Sequence, residues 1–236
     1  MGTTYLQLCQ KFRKQVGISG TGPAAVTGQS GMNEKITIWV ADADEWIQRK
    51  WSDWKFLLEP QEIITATAGT RTFTLSTLGI TDLAKWKRTS FVRSPGTANY
   101  QKLSWDMTFE EYLESEYYLG VEETGDIDRV VVRSSDNALI FIPTPTANTT
   151  VWGAYYKTPT RMSADTSETP IPERFREAIL YRAKMFYAEH LEDITLYQSA
   201  EKDFKDILVQ LEADQLEGSR GMTRSADFEN LSVVVE

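Results

Sequence analysis

NEKITIWVADADEWIQRKWSDW, residues 33–54, holds four of the chain's seven tryptophans within sixteen positions. Apolar side chains recur here at steps of three and four residues, which predicts an amphipathic helix that Asn33 caps and that ends near Lys50. Because so much aromatic surface has to leave water, we expect this helix to pack against other helices or against a partner. Its expected apolar face comprises Ile36, Trp39, Val40, Ala43, Trp46 and Ile47, and continues into Trp51 and Trp54.

Further helical patterns lie towards the two ends of the chain. Residues 1–58 contain, besides the tryptophan-rich helix, a segment in which Thr4 and Gln7 form a capping box ahead of regularly spaced apolar residues. Residues 163–217 contain two more amphipathic segments, the first of which begins at Pro172. We therefore expect a four-helix bundle that is built from both chain ends.

Residues 59–162 have a different pattern, since apolar and polar residues alternate there at a period of two. The last strand, TTVWGAYYKTP at 149–159, is rich in β-branched and aromatic residues. The polar, proline-bearing segment 161–173 has the composition of a linker. The sequence thus predicts an α+β protein, in which an antiparallel β-rich domain, sandwich-like or barrel-like, is inserted into the helical bundle. The turns of three expected hairpins lie at 68–70, 94–97 and 134–137.

Charge and composition argue against several functional classes. The 236 residues carry a net charge of −9, which disfavours tight general binding to the phosphates of DNA or RNA. No run reaches the roughly 18 apolar residues that a membrane-spanning helix needs, so no membrane association is expected. The first residues, MGTTYLQLCQKFRK, place charge after the apolar residues, and no signal peptide is expected. The single cysteine, Cys9, lies on an apolar helix face, which predicts burial and fits a reducing site of synthesis.

The glycine-rich segment GISGTGPAAVTGQSG, residues 17–31, raises the question of a phosphate-binding loop. A P-loop needs a Gly-Lys pair, and the sequence contains none. A dinucleotide fingerprint needs a preceding strand, whereas Gly20 and Gly22 follow a predicted helix. We therefore expect a loop between helices, whose small residues pack against a neighbouring subunit; the alternative is an exposed flexible hinge.

Residue types argue against the common catalytic and metal sites. His190 is the only histidine and Cys9 the only thiol, so a zinc site lacks its usual ligands. A serine-histidine-aspartate triad would have to use His190, whose place near the end of a predicted helix favours an interaction with the helix dipole instead. No cofactor is expected. One alternative function stays open, because the segment TFEEYLESEYY at 108–118 combines carboxylates with tyrosines. It is a monomeric carbohydrate-binding or glycan-hydrolysing β module, for which Glu111 and Tyr156 would be required.

Three short motifs follow one another between residues 5 and 57: GISGTGP after the first helix, TGQSG before the second, and DWKFL after it. In this order the segment resembles the start of phage adaptor proteins, also called head-to-tail connectors or tail tubular protein A-like proteins. Over the rest of the chain the resemblance lies in the architecture: an inserted β domain, a returning helical pair and an extended C-terminal tail at 218–236.

This resemblance implies a structural virion protein that is not an enzyme. Such a protein is made in the host cytoplasm and forms a ring, usually of twelve copies, beneath the portal protein at the head-tail junction. The ring extends the channel through which genomic DNA passes without sequence-specific binding. It also docks the tail nozzle or the next neck protein, so the expected partners are other copies of the chain, the portal and these tail components.

Candidate interface residues follow from the resemblance and from the residues themselves. The tryptophans of 33–54 exceed what a small bundle hides easily, and contacts between subunits would bury them. The C-terminal tail is expected to become ordered on a partner, with LSVVV (231–235) added to a sheet edge. The expected subunit or portal interface residues are Gly20, Gly22, Pro23, Gly28, Trp39, Trp46, Trp51, Trp54, Phe228, Leu231, Val233, Val234 and Val235.

Overall fold

The structure is a computed structural model that describes residues 2–94, 100–119 and 123–216. These residues form two compact units, the first from both ends of the chain and the second from residues 58–158. The expected C-terminal tail at 218–236 lies outside the described residues, and so do its candidate interface residues Phe228, Leu231, Val233, Val234 and Val235.

Five α-helices lie within the described residues, and four of them belong to the first unit. Three of these four agree to within about two residues with the segments in which apolar residues follow a helical period. The remaining one begins at Glu177, five residues after the expected start at Pro172, because a separate 3-10 turn lies between them. The helices are α1 (Tyr5–Gln15), α2 (Gly31–Lys50), α3 (Phe109–Leu119), α4 (Glu177–Leu191) and α5 (Ile194–Gln215). Short 3-10 turns occupy Lys55–Leu57, Arg88–Ser90 and Glu173–Phe175.

The starts of the first two helices differ in how well the sequence predicts them. The capping box of α1 is confirmed, because Thr4 N donates to Gln7 Oε1 at 2.9 Å and Gln7 N donates to Thr4 Oγ1 at 3.3 Å. The cap predicted for α2 is wrong, since α2 begins two residues earlier, at Gly31. Asn33 instead accepts a hydrogen bond from the guanidinium of Arg13, which ties the start of α2 to α1.

The four helices of the first unit pack around apolar side chains that they share. α4 packs against α1, α2 and α5, and α1 also packs against α2. The Tyr187 ring of α4 lies 6.4 Å from the Phe12 ring of α1 and 5.8 Å from the Trp39 ring of α2. The regular four-helix bundle stays a prediction. Large side chains that are fully buried in this unit are Leu8, Phe12, Ile36, Ile47, Trp54, Ile171, Ile179 and Leu180.

The segment 161–173, which the sequence presents as a linker, is packed into the first unit. The Ser167 carbonyl accepts a hydrogen bond from Tyr5 N, 2.8 Å away, at the start of α1. Thr169 and Ile171 are both buried. The linker prediction is therefore wrong, because the polar groups of this segment are paired with the helices.

The second unit contains ten strands among the described residues. A five-stranded antiparallel sheet has the order β1-β10-β4-β5, with β3 also paired to β10. A three-stranded antiparallel sheet has the order β2-β8-β7, and β6 pairs with β9 in parallel. A closed barrel or a sandwich stays a prediction. The strands are β1 (Leu58–Ala66), β2 (Thr72–Phe73), β3 (Leu83–Trp86), β4 (Val92–Ser94), β5 (Gln101–Lys102), β6 (Thr124–Gly125), β7 (Arg129–Val132), β8 (Leu139–Ile142), β9 (Thr144–Pro145) and β10 (Thr149–Lys157).

The longest ladder joins β1 to β10, from Leu58 opposite Tyr156 to Ala66 opposite Thr149. The hairpin predicted around 68–70 is therefore wrong, because β1 pairs with β10 and β2 pairs with β8. The turn itself is present, and Gly69 has a φ of 77° and donates its N–H to Pro145 O at 2.8 Å. It passes the chain from one sheet to the other. The strand pairings of the two later hairpins are confirmed as β4–β5 and β7–β8, and residues 95–97 of the first of these turns lie outside the described residues.

Aromatic side chains form much of the core of the second unit. The Trp86 ring lies 5.7 Å from the Phe91 ring and 5.9 Å from the Tyr155 ring, and the Phe91 ring lies 4.8 Å from that of Trp105. Contacts of this edge-on kind add to the burial of the rings. In the part of the chain that the structure describes, no helix combines the length and apolarity that crossing a membrane requires.

Candidate functional site

The N-terminal part of the glycine-rich loop, which includes Ser19 and Pro23, is held against α1 by two side chains. Gln10 Nε2 donates to the carbonyl oxygen of Pro23 at 3.1 Å, and the guanidinium of Arg13 donates to the carbonyl oxygen of Ser19. Pro23 is itself buried. It therefore contributes to the fold of the loop and is not available as an open contact surface.

The glycines of the loop differ in what they require. Gly20 and Gly28 have φ angles of +97° and +68°, which favour glycine, and both are exposed. Gly22 is half-buried, and a Cβ there would lie 3.2 Å from a side-chain carbon of α1. In the C-terminal part of the loop, Val26 N donates to Asp165 Oδ1 at 2.6 Å. Since both parts of the loop are anchored, these contacts count against the flexible-hinge alternative.

The four tryptophans of residues 33–54 do not share one surface. Trp54 is fully buried, lies 5.2 Å from the Phe56 ring and donates from Nε1 to Ile47 O at 3.0 Å. This position in the core removes Trp54 from the candidate interface. Trp51 is half-buried, and its Nε1 donates to Glu212 Oε1 at 2.8 Å, so it links the end of α2 to α5.

Trp39 and Trp46 lie on the side of α2 that meets the C-terminal helices. Trp39 is half-buried, with its ring 5.8 Å from Tyr187 and 5.6 Å from His190. Trp46 keeps 38% of its surface exposed while its ring lies edge-on, 5.6 Å from Phe204. Of the four tryptophans, Trp46 offers the most surface to a partner.

The sequence reasoning missed Arg182, which contacts Trp46. Its guanidinium lies 4.6 Å from the centre of the Trp46 ring and 4.7 Å from that of Phe186, a double cation–π contact. In the described ranges, no carboxylate lies within ion-pair distance of Arg182. The sequence carried a signal, because Arg182 follows Ile179 by three residues and precedes Phe186 by four, on the apolar stripe of α4.

A second group that the sequence reasoning missed is the buried carboxylate of Asp44 on α2. It accepts hydrogen bonds from Thr169 Oγ1 at 2.5 Å and from Gln48 Nε2 at 2.8 Å. Gln48 also exchanges two hydrogen bonds with the backbone of Thr160, at 3.1 Å and 3.0 Å. Burial raises the pKa of Asp44 to about 6, although its two hydrogen bonds act to lower it. This network fastens the returning chain to α2.

The residues that the carbohydrate alternative requires serve the fold of the second unit. Thr108 N donates to Glu111 Oε2 at 2.7 Å, and Glu111 N donates to Thr108 Oγ1 at 3.2 Å, so the two residues form a capping box on α3. Hydrogen bonds from the backbone and the side chain of Thr108 to the Glu111 carboxylate lower the pKa of Glu111. Tyr156 is buried within β10. Among the described residues, no cluster of three or more histidine, cysteine, aspartate or glutamate side chains could hold a metal ion.

Comparison with models of protein families gives a match over most of the chain. A family model described as SU10 adaptor protein matches residues 3–226, which include both compact units. A search of curated proteins found no match. The match over nearly the whole chain supports the resemblance to phage adaptors that residues 5–57 carry, whereas the closer likeness to tail tubular proteins stays a prediction.

Proposed function

The chain belongs to the SU10 adaptor protein family, and from this membership we propose that it forms the head-to-tail adaptor ring of a tailed phage. The ring, of twelve copies as the resemblance implies, lies beneath the portal protein at the head-tail junction. It extends the channel for genomic DNA and docks the tail nozzle or the next neck protein. The observation that carries the proposal is the family match over residues 3–226.

Exposed apolar side chains of the helical unit support a role in assembly. Trp46 is 38% exposed, Leu191 48% and Ile194 73%. Association of subunits removes such surface from water, and the burial contributes roughly 25 cal/mol per Å² of apolar area. Gly20 and Gly28, at the surface of an anchored loop, allow close approach of a neighbouring backbone.

The charge of the chain suits a channel through which DNA slides. A net charge of −9 repels phosphates, so a wall that carries it does not hold DNA by salt-dependent phosphate contacts. Helix α3 contributes exposed carboxylates at Glu110, Glu111 and Glu114. We therefore propose that DNA passes the ring without sequence-specific binding.

The direct test is to mix the protein with the portal protein from the same genome and to examine the product by electron microscopy and native mass measurement. A ring of stoichiometric copies stacked on the portal is the expected result. The absence of any complex would contradict the adaptor function. So would saturable glycan binding by the isolated chain that is lost on Glu111→Gln or Tyr156→Phe, because that is what the carbohydrate alternative requires.

The C-terminal segment 218–236 is proposed to bind the portal, with residues 231–235 added to a sheet edge. Side chains of a strand alternate between its two faces, so Leu231, Val233 and Val235 would share one face. Val233→Asp is expected to weaken portal binding, whereas Ser232→Asp, on the opposite face, serves as the matched control. Equal binding by both variants and by a chain that ends at residue 217 would overturn this part of the proposal.

A further inference from the structure

A partly exposed aromatic platform lies where α2, α4 and α5 meet, and a cation is fixed within it. The platform consists of Trp46, Arg182, Phe186 and Phe204. Arg182 is half-buried, and its guanidinium lies near two rings, at 4.6 Å and 4.7 Å from their centres. The rings therefore hold this cation in place at the side of Trp46, which stays 38% exposed.

The hydrogen-bonding capacity of Arg182 is largely unused. Among the described residues its buried Nε has no hydrogen-bond partner, and Nη1 has only the weak acceptor Met185 Sδ at 3.6 Å. The nearby Lys50 differs, because its ammonium pairs with Glu212 at 2.9 Å. A guanidinium that is fixed in position and lacks an anion is suited to bind a carboxylate, with little further loss of side-chain freedom.

Exposed apolar side chains and carboxylates, which are complementary to the platform, lie at the turn between α4 and α5. Leu191 and Ile194 are 48% and 73% exposed there. Glu189 and Glu192 are exposed beside them, and no cation of the described chain lies within ion-pair distance of either carboxylate. Asp193 is occupied as the cap of α5, where it accepts from Leu196 N at 2.9 Å. We call Glu189, Leu191, Glu192 and Ile194 the turn surface.

The platform and the turn surface of one copy are too far apart to contact each other. Arg182 and Glu189 stand seven residues apart on α4, which corresponds to about 10 Å along a helix, and among the described residues no ion pair joins them. An arginine side chain does not reach that far along its own helix. A second copy of the chain, however, can bring its apolar residues to Trp46 and its carboxylates to Arg182.

We propose that the turn surface of one copy docks on the platform of the next. Leu191 and Ile194 cover the exposed ring of Trp46, and Glu189 or Glu192 pairs with Arg182. The contact joins two different surfaces, which is the kind of interface that repeats around a ring. The inference thus rests on the proposed ring function and names the surfaces that hold its subunits together.

Disulfide trapping tests the contact in the full chain. Ile194→Cys and Lys50→Cys variants are mixed in equal amounts, with and without the portal protein, and are then oxidised. Lys50 is chosen because it lies at the edge of the platform, with its ammonium 5.8 Å from the centre of the Trp46 ring. A cross-linked heterodimer is expected in the mixture and not with either variant alone. Lys202→Cys replaces Lys50→Cys in the control, because Lys202 is exposed on the side of α5 that faces away from Phe204. The native Cys9 does not interfere, since it is fully buried.

A second measurement removes the charge and keeps the packing. Arg182→Met fills a similar space between Trp46 and Phe186 without a cation, and it is expected to weaken the association of copies on the order of a hundredfold. Arg182→Glu is expected to weaken it further, because it places like charges opposite each other. Unchanged circular dichroism of Arg182→Met separates this effect from a loss of folding.

The outcomes separate this contact from the ring function itself. If the wild type forms a ring on the portal, but the disulfide is absent and Arg182→Met assembles normally, the contact is wrong and the adaptor function stands. If the disulfide forms and the wild type makes no complex with the portal, the contact stands and the adaptor function falls. If neither the ring nor the disulfide forms, both are wrong.

Discussion

Asp44 illustrates, at the scale of one residue, how a carboxylate is tolerated in the core of the helical unit. Burial without partners would cost several kcal/mol, and the hydroxyl of Thr169 and the amide of Gln48 reduce that cost. Burial still dominates, and it raises the pKa of the Asp44 carboxyl to about 6. The residue therefore changes charge close to neutral pH, at the point where the returning chain is fastened to α2.

Because the pKa of Asp44 is raised in the folded state, the contribution of Asp44 to the free energy of unfolding should fall as the pH rises. Between the ordinary pKa of 3.8 and the folded value of about 6, the native state binds a proton at Asp44 that the unfolded chain releases. The contribution of Asp44 to the free energy of unfolding is thus fully present below pH 3.8, and it falls by about 3 kcal/mol as the pH rises through 6. We expect Asp44→Asn to lack this fall, because its neutral amide can donate to Thr169 and accept from Gln48.

Urea unfolding of the wild type and Asp44→Asn at several pH values between 4 and 7 measures this difference. The stability of the wild type relative to Asp44→Asn should decline across the series. Asp206→Asn, which changes an exposed aspartate of α5, is the matched control and should run parallel to the wild type. A constant difference between the wild type and Asp44→Asn would show that Asp44 keeps an ordinary pKa.

Cys9 leads to a second prediction at this scale. The thiol is fully buried in α1, and burial raises its pKa to about 12. We expect native protein at pH 8 to react with a disulfide reagent such as DTNB only as fast as the helical unit opens, whereas urea-unfolded protein reacts within seconds. Rapid reaction of one thiol per chain under native conditions would contradict the packing of α1.

At the scale of elements, the glycine-rich loop depends on a side chain that lies far away in sequence. Asp165 accepts the N–H of Val26 at 2.6 Å, and this bond joins the loop to the returning segment 161–173. We expect Asp165→Ala to lower the free energy of unfolding by about 1–2 kcal/mol, because a buried N–H loses a charged acceptor. The amide of Val26 should then exchange with solvent much faster than in the wild type.

Hydrogen exchange read by mass spectrometry over residues 17–30 provides that measurement. Asp203→Ala serves as its control, since Asp203 is similarly half-buried but lies on α5. Equal protection of the loop in Asp165→Ala and in the wild type would mean that the α1 contacts alone hold the loop.

The elements also show how far local sequence signals reach. Helices α1, α2, α4 and α5 were predictable, because the spacing of apolar residues and the Thr4–Gln7 capping box are local properties. The strand pairing around the turn at 68–70 was not predictable from local sequence. The turn exists, but β1 pairs with β10, some 90 residues further along the chain. The same difficulty arose at Ser167 and Thr169. The polar sequence around them suggests a segment exposed to solvent, whereas their hydrogen-bond partners lie in α1 and α2.

The candidate site was predictable only in part, for a similar reason. The aromatic content of α2 indicated surplus apolar surface, but helical spacing did not reveal that Trp54 is buried while Trp46 is exposed. That outcome depends on which other side chains pack against each ring. Arg182 was missed because a single arginine on an apolar stripe carries no motif, although its position between Ile179 and Phe186 sets it apart.

At the scale of the whole molecule, the antiparallel pairing of β1 with β10 brings the two ends of the second unit together. Leu58 lies opposite Tyr156, so the two ends of residues 58–158 are about 5 Å apart at that pair. An inserted domain whose ends are adjacent can be removed without stretching the chain that receives it. The helical unit is therefore expected to fold around a short replacement.

The last prediction follows from this geometry. A chain in which about four glycine and serine residues replace 58–158 should keep its helical circular dichroism, a protected Cys9 and cooperative unfolding, because the buried core of the first unit stays intact. A second chain, cut at residue 54 instead of 57, is the matched control. It loses the buried Leu57 and the bond from Lys55 Nζ to Asp214 O at 3.0 Å, and it should be less stable. If both chains are unfolded, the helical unit depends on the β-rich unit. If the first chain folds and also forms the Ile194–Lys50 disulfide, the surfaces that join neighbouring copies belong to the helical unit alone.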